Sequence, residues 1–183
     1  KIREAMLNLV SKINDYLELC KLNVVLLMLF SALVGIVLAP NESISWYQIT
    51  AFLVGIGLVS GSGGTINQLL DKKVDEKMSR TKHRPMPSGS ISSLEAICFA
   101  IILAVSGISI LAATTNILAI YLTLIAMFGY AFIYTLVLKY VTPQNIVIGG
   151  ITGALPPLIG WVCVTGKISH EPLLLVLIIY SWT

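Results

Sequence analysis

Long stretches of this chain contain no Asp, Glu, Lys or Arg, and that absence restricts the fold more than any motif does. Nearly all the ions lie between Lys1 and Lys21 or between Asp71 and Glu95. A bilayer core takes about 20 apolar residues per helix. Val24 to Ala39 with its flanks supplies a first span, stopped by Pro40-Asn41. Ile49 to Leu70 supplies a second, Leu94 to Ala113 a third, Asn116 to Leu138 a fourth and Ile146 to Val164 a fifth. Leu173 to Thr183 opens a sixth that stops short, so the sequence is expected to be cut inside a helix. The opening residue is Lys1 rather than Met, so residues are expected ahead of it as well. Helices are preferred to strands because these runs exceed strand length and do not alternate. The first run is too long for a signal-peptide core, so it reads as a retained span. The expected fold class is all-α, a polytopic transmembrane helical bundle, with residues 1–183 forming a single domain truncated at its C-terminal end.

Composition agrees. The chain is 56% hydrophobic and 11% charged, with a mean hydropathy of +0.89, where a soluble domain carries about a quarter charged residues. The net charge of +3 therefore indicates orientation in a membrane, with no nucleic-acid partner expected. Lys1, Arg3, Lys12 and Lys21 precede span one; Lys72, Lys73, Lys77, Arg80, Lys82 and Arg84 follow span two; Lys139 follows span four. Lys167, after span five, stands alone on the other side. The positive-inside rule then places the N-terminus and the Asp71–Ser93 loop in the cytoplasm; the membrane is expected to be a cell inner membrane.

Cys20, Cys98 and Cys163 are far apart, and two lie in apolar segments, so they read as small apolar helix residues rather than a disulfide or zinc set. The glycines of span two (Gly55, Gly57, Gly61, Gly63 and Gly64) read as small residues for close helix packing. Gly149, Gly150, Gly153, Pro156 and Pro157 predict a kinked or interrupted span five, and broken helices in membranes line cavities.

The chemistry-bearing pattern is Asn67, Asp71 and Asp75, four residues apart at the end of span two. On a helix that spacing puts a carboxamide and two carboxylates on one face. Carboxylates at a membrane edge need a neutraliser, and a divalent cation is the simplest. Mg²⁺ takes one or two carboxylates and fills its other positions with water and phosphate oxygens, so a sparse site of this kind favours a phosphorylated ligand. Arg and Lys just downstream suit the remaining diphosphate oxygens. If the diphosphate is a leaving group, metal and cations stabilise the charge that develops as its bond breaks. A lipid chain among apolar helices would form the other half of the reactant, which makes the reaction an isoprenyl transfer. Two alternatives remain open. The same residues suit a self-paired, solvated interfacial loop, and a transporter or assembly factor with a basic loop would share the composition. The i, i+4, i+8 spacing and the broken helix nearby favour a functional site.

Several runs carry a resemblance. Asn67-x-x-x-Asp71-x-x-x-Asp75 resembles the first aspartate-rich motif of the UbiA-type intramembrane prenyltransferases. Asp71-Lys72-Lys73-Val74-Asp75-Glu76-Lys77-Met78-Ser79-Arg80-Thr81, Arg84-Pro85-Met86-Pro87-Ser88-Gly89, Tyr134-Thr135 with Leu138-Lys139, Thr142-Pro143-Gln144-Asn145 and Pro156-Pro157-Leu158-Ile159-Gly160-Trp161 resemble its haem-farnesylating branch. The resemblance implies the N-terminal five to six helices of a nine-helix bundle, with farnesyl diphosphate and haem B as substrates, haem O and diphosphate as products, and a haem A synthase downstream. It implies that Asn67, Asp71 and Asp75 hold Mg²⁺ and diphosphate as the catalytic and metal set, and that Arg80, Arg84, Lys139 and Tyr134 bind diphosphate. A sister enzyme acting on an aromatic or quinone precursor is the alternative. Departures exist too. Lys21-Leu22-Asn23 stands where the family has Lys-Pro-Arg, and Lys139-Tyr140 where it has Lys-Arg. The family's second aspartate motif would fall beyond Thr183, so this stretch alone is not expected to catalyse transfer. His83, in a basic loop, reads as a solvated residue rather than a haem ligand.

Overall fold

In the computed structural model, residues 2–40 and 44–182 are described; Asn41 and Thr183 fall outside them. The elements are helical throughout the described residues: α1 (Ile2–Leu19), α2 (Leu22–Leu38), α3 (Trp46–Asp75), α4 (Pro85–Ser88), α5 (Ser93–Thr114), α6 (Ile117–Phe128), a π-helical segment (Gly129–Leu138), α7 (Lys139–Val141), α8 (Asn145–Ala154), α9 (Pro156–Thr165) and α10 (His170–Ser181). Trp46–Asp75, Ser93–Thr114, Ile117–Val141 and Asn145–Thr165 are each long and apolar enough to cross a membrane, and α2 makes a fifth span when joined to the end of α1 across a 52° bend. These are the five expected spans. Side chains such as Phe30, Ile101, Ile102, Val105 and Ile125 stay exposed on their outer faces, which a soluble surface rarely tolerates and a lipid-facing one requires.

Local chemistry sets the starts of the long helices. Ser45 and Ser92 each form a capping box, their hydroxyls accepting from the backbone N–H of Gln48 and Glu95 while those side chains bond back, which satisfies donors that a helix end leaves open. At the start of α6, Asn116 Oδ1 accepts from Ala119 N–H at 3.0 Å and its Nδ2 donates to the Val162 carbonyl at 2.7 Å. One side chain thus caps α6 and ties it to α9. Pro156 and Pro157 occupy the first positions of α9, and the helix is interrupted at Leu155, as the missing backbone donors require.

Two corrections to the sequence reading concern helix continuity. α3 runs without a break through Asp75, so the loop expected from Asp71 begins only after the second aspartate. The fourth span is not regular: from Gly129 to Leu138 it is π-helical.

The core lies between α2, α3, α5, α6 and α9, with Ala32, Phe52, Ile56, Val59, Leu111 and Ile159 at its centre. Glycines let the helices approach. A Cβ on Gly160 would run into the Ala32 carbonyl, one on Gly35 into the Pro157 carbonyl, and one on Gly107 would stand 2.7 Å from the Gly55 carbonyl. Of the span-two glycines read as packing residues, Gly55 and Gly64 are tightly packed, an added Cβ standing 2.9 Å from the Leu111 side chain and from the Cys20 carbonyl respectively. A second, smaller cluster of Leu19, Met86, Ile91 and Ala96, with Tyr16 and Phe99 against it, fastens the α3–α5 connection beneath α1.

Because backbone rather than a flexible side chain meets the added carbon, Gly160→Val is expected to lower unfolding free energy by about 1–3 kcal/mol or more. A detergent-solubilised thermal melt of the two proteins checks this, and an unchanged melting temperature would contradict the close α2–α9 approach.

Candidate active site

Asn67, Asp71 and Asp75 project from one face of α3 and are all buried, at 3%, 6% and 5% exposure. Buried carboxylates need partners, and the fold brings one from a different element to each. Lys139, at the start of α7, donates to Asp71 Oδ2 at 2.6 Å. Arg84, in the loop after α3, donates from Nη1 to Asp75 Oδ2 at 2.9 Å. Lys21, at the α1–α2 junction, donates to Asn67 Oδ1 and, at 3.1 Å, to the Tyr130 hydroxyl. Three basic side chains from three elements therefore meet three successive turns of α3. Neighbouring contacts are about 6 Å apart along the axis, at four residues of 1.5 Å rise each.

Each cation is placed by its own piece of local structure. Thr81 is buried and its hydroxyl donates to the Asp75 carbonyl at 3.1 Å. That bond folds the loop back over the end of α3 and delivers Arg84. Lys139 depends on the π segment. In an α-helix, residues five apart point roughly 140° away from each other. Here Lys139 N–H bonds to the Tyr134 carbonyl, the wider i→i+5 turn that returns the chain to the same side. Such segments occur frequently at functional sites. Tyr134 and Lys139 consequently both line the cavity, with the ammonium 5.9 Å from the ring centroid. Gly149 on α8 makes room for the Tyr134 ring, which a Cβ there would strike, and Tyr134 stacks on Tyr130 with centroids 6.0 Å apart.

The inner hydrogen bonds leave one acceptor open. Asn67 Nδ2 donates to Asp71 Oδ2 at 3.1 Å and to Thr135 Oγ1 at 2.9 Å, while Thr135 donates onward to the Tyr130 carbonyl at 3.0 Å. Asp71 Oδ1 is buried with no hydrogen-bond partner. An anionic oxygen in that state favours a cation or a donor from a ligand. Among the described residues no group of three or more His, Cys, Asp or Glu is assembled, so the protein offers two carboxylates and a carboxamide whose oxygen faces Lys21. That donor set suits a hard cation that takes few protein ligands, as Mg²⁺ does, and does not suit a fully caged structural ion.

The stripe stands at one end of a cavity of about 840 Å³, at the upper part of the range for ligand sites. Val24, Leu27, Met28, Ile56 and Ile159 make much of its wall apolar, and the broken fifth span contributes Gly149, Gly150, Gly153 and Pro156. All seven residues singled out from the sequence line the cavity, Arg80 as an exposed side chain on its rim. His83 is exposed and not in the lining. Lys21, Tyr130 and Thr135 were missed as site residues. Lys21 did carry a signal, as a cation immediately before an apolar span, and Thr135 stood in a family-like run beside Tyr134 with no role assigned to it, whereas Tyr130 carried none.

The chain is thus a multi-pass helical membrane protein whose buried carboxylates, cations and apolar cavity equip it for an amphipathic anionic ligand. The family model of the UbiA prenyltransferase family matches residues 28–183, and the chain belongs to that family. It is 52% identical over 169 residues to a protoheme IX farnesyltransferase of Ectopseudomonas mendocina, covering 92% of this chain and 56% of that protein. To the protoheme IX farnesyltransferase of Psychromonas ingrahamii it is 48% identical over 171 residues, covering 93% and 55%. The chain therefore spans about half the length of these curated relatives. Among solved structures it is similar to digeranylgeranylglyceryl phosphate synthase (TM-score 0.80, 25% identity, 93% of this chain and 59% of that one). A UbiA homologue from Archaeoglobus fulgidus bound to DMAPP and Mg²⁺ shares the fold (TM-score 0.77, 20% identity, 92% and 61%).

Removing one partner of a buried pair leaves its charge uncompensated. Lys139→Met is accordingly expected to destabilise the protein by roughly 3 kcal/mol, the lower end for such pairs because the Lys139 side chain is 31% exposed. Adding Asp71→Asn to it should restore most of the loss. A double-mutant cycle of thermal or denaturant unfolding measures both, and strict additivity would show that the pair is not coupled.

Proposed function

We propose that the protein transfers a farnesyl group from farnesyl diphosphate to a vinyl group of haem B, with water adding to the same vinyl group, giving haem O and diphosphate. The observation that carries the chemistry is the unpartnered, buried Asp71 Oδ1 on a stripe of acceptors at the end of an apolar cavity. The choice of haem rests on the identity, near one half, to proteins named for that reaction. Residues 1–183 are read as part of one transmembrane prenyltransferase domain.

Asp71 and Asp75 would hold Mg²⁺ and, once its carboxamide turns its oxygen away from Lys21, so would Asn67. Magnesium, when bound, supplies positive charge that stabilises the departing diphosphate. Lys139 and Arg84 now neutralise the carboxylates. With the carboxylates holding a metal, Lys139 and Arg84 would be free to donate to diphosphate oxygens, Arg84 through two parallel hydrogen bonds. Arg80 adds a third donor from the rim. Tyr134 steadies Lys139 through the face of its ring. The apolar wall receives the isoprenyl chain and keeps water from the carbon that becomes electron-poor as its bond to oxygen lengthens. The acceptor is the vinyl group of haem B: its terminal carbon bonds to the farnesyl carbon as the bond to diphosphate breaks, and water adds to the other vinyl carbon and gives up a proton, leaving the hydroxyl of haem O.

The convergence of Lys21, Arg84 and Lys139 at one end of α3 supports placing that end, the N-terminus and the loop after α3 on the cytoplasmic side of an inner membrane. A haem A synthase is then the downstream consumer of the product.

In cells unable to make haem O, expression of the full-length protein that contains this chain should restore it in extracted haems resolved by chromatography. Asp71→Asn and Asp75→Asn, expressed to the same level, should each lower its yield by about 100-fold or more. Prenylated aromatic acids in place of haem O would instead identify the sister reaction.

A further inference from the structure

Two of the three cations on the stripe have their charge cancelled. Lys139 sits on Asp71 and Arg84 on Asp75. The third does not: among the described residues, the hydrogen bonds of Lys21 go to the Asn67 carboxamide oxygen and the Tyr130 hydroxyl, both neutral, with the Tyr130 ring centroid 5.8 Å from the ammonium. Neutral acceptors solvate an ammonium without cancelling its charge. Lys21 is half-buried in the cavity wall, where that charge is screened less than on the exposed Arg80 at the rim.

The backbone shows that the placement is imposed. Lys21 has φ 54° and ψ 56°, and it is the sole non-glycine residue with positive φ among the described residues. That left-handed region is uncommon for a residue with a full side chain and concentrates at functional sites. Here it turns the chain from α1 into α2 through the 52° bend and carries the side chain to the stripe.

We infer that Lys21 is a further anion-binding residue of this cavity, contacting the diphosphate of the prenyl substrate directly through its ammonium. The inference rests on the diphosphate reading given above. Lys139 and Arg84 must leave a carboxylate before they can serve an anion at full strength. Lys21 need leave only neutral oxygens, so it is the cation available to the anion from the outset.

Inorganic diphosphate, titrated calorimetrically into the purified full chain in detergent, tests this, first with EDTA and then with Mg²⁺. Lys21→Gln keeps a donor for Asn67 and Tyr130 but removes the charge; Lys21→Met removes both; Lys21→Arg keeps the charge. In both buffers the Gln and Met variants should bind diphosphate about tenfold or more weakly, the loss expected for a charged hydrogen bond. The Arg variant should stay within about threefold of wild type, since its charge is retained. Circular dichroism confirms folding, and should Met prevent it, Gln alone carries the comparison. Gln binding like wild type, or Arg failing as badly as Gln, overturns the role of Lys21 and leaves the diphosphate reading standing. A wild-type chain that binds no diphosphate in either buffer overturns both.

Discussion

Two carboxylates buried on one helix face govern the arrangement of this protein. Asp71 and Asp75 cannot remain anionic inside a helical bundle without compensation, and the ion pairs they form reach them from outside α3. Compensation arrives from the loop after α3 as Arg84 and from the far end of the fourth span as Lys139. The Thr81 bond, the π turn and the Gly149 gap for Tyr134 all follow from that need, because each positions one of those cations. Deleting any of them would return a bare charge to the interior.

The same arrangement makes the site a store of matched charges. The basic and acidic groups satisfy one another, Lys139 on Asp71 and Arg84 on Asp75. On the proposed reading, a metal and an anion arriving together would present the opposite pairing to both sets at once. Neither ligand alone offers a complete exchange: the metal would leave Lys139 and Arg84 without anions, and the anion would leave the carboxylates without cations. On the proposed reading, binding of the two would be coupled through the same side chains, by the reciprocity that any such linkage obeys.

Much of this was legible in the sequence, and for identifiable reasons. Uncharged runs of membrane length define spans regardless of tertiary detail, so all five were recovered with small shifts at their ends. The stripe was legible because helical spacing alone sets which residues share a face. Pro156 and Pro157 announced the break at Leu155 because a missing donor acts locally. Irregularity without a local signal was not legible. Nothing in Gly129-Tyr130-Ala131-Phe132-Ile133-Tyr134-Thr135 distinguishes a π segment from an α-helix, since the wider turn is selected by what it packs against. The missed roles of Tyr130 and Thr135 follow directly, and so does the orientation of the Asn67 carboxamide, which depends on an ammonium 46 positions away in the chain. Lys21 was visible as charge but not as a strained junction residue.

The π segment has a consequence for how this part of the chain can change over evolutionary time. A wide turn holds one residue more than an α-helix would between the same two flanking points, so its length is as constrained as its composition. Loss of a single residue between Gly129 and Leu138 would let the helix tighten and would swing everything beyond it by roughly 100°, the rotation per residue of an ordinary helix. Lys139 would then face away from the carboxylate it now neutralises. Point substitutions that preserve apolar character should accumulate freely on the outer face of this segment, while one-residue deletions should be absent from functional descendants.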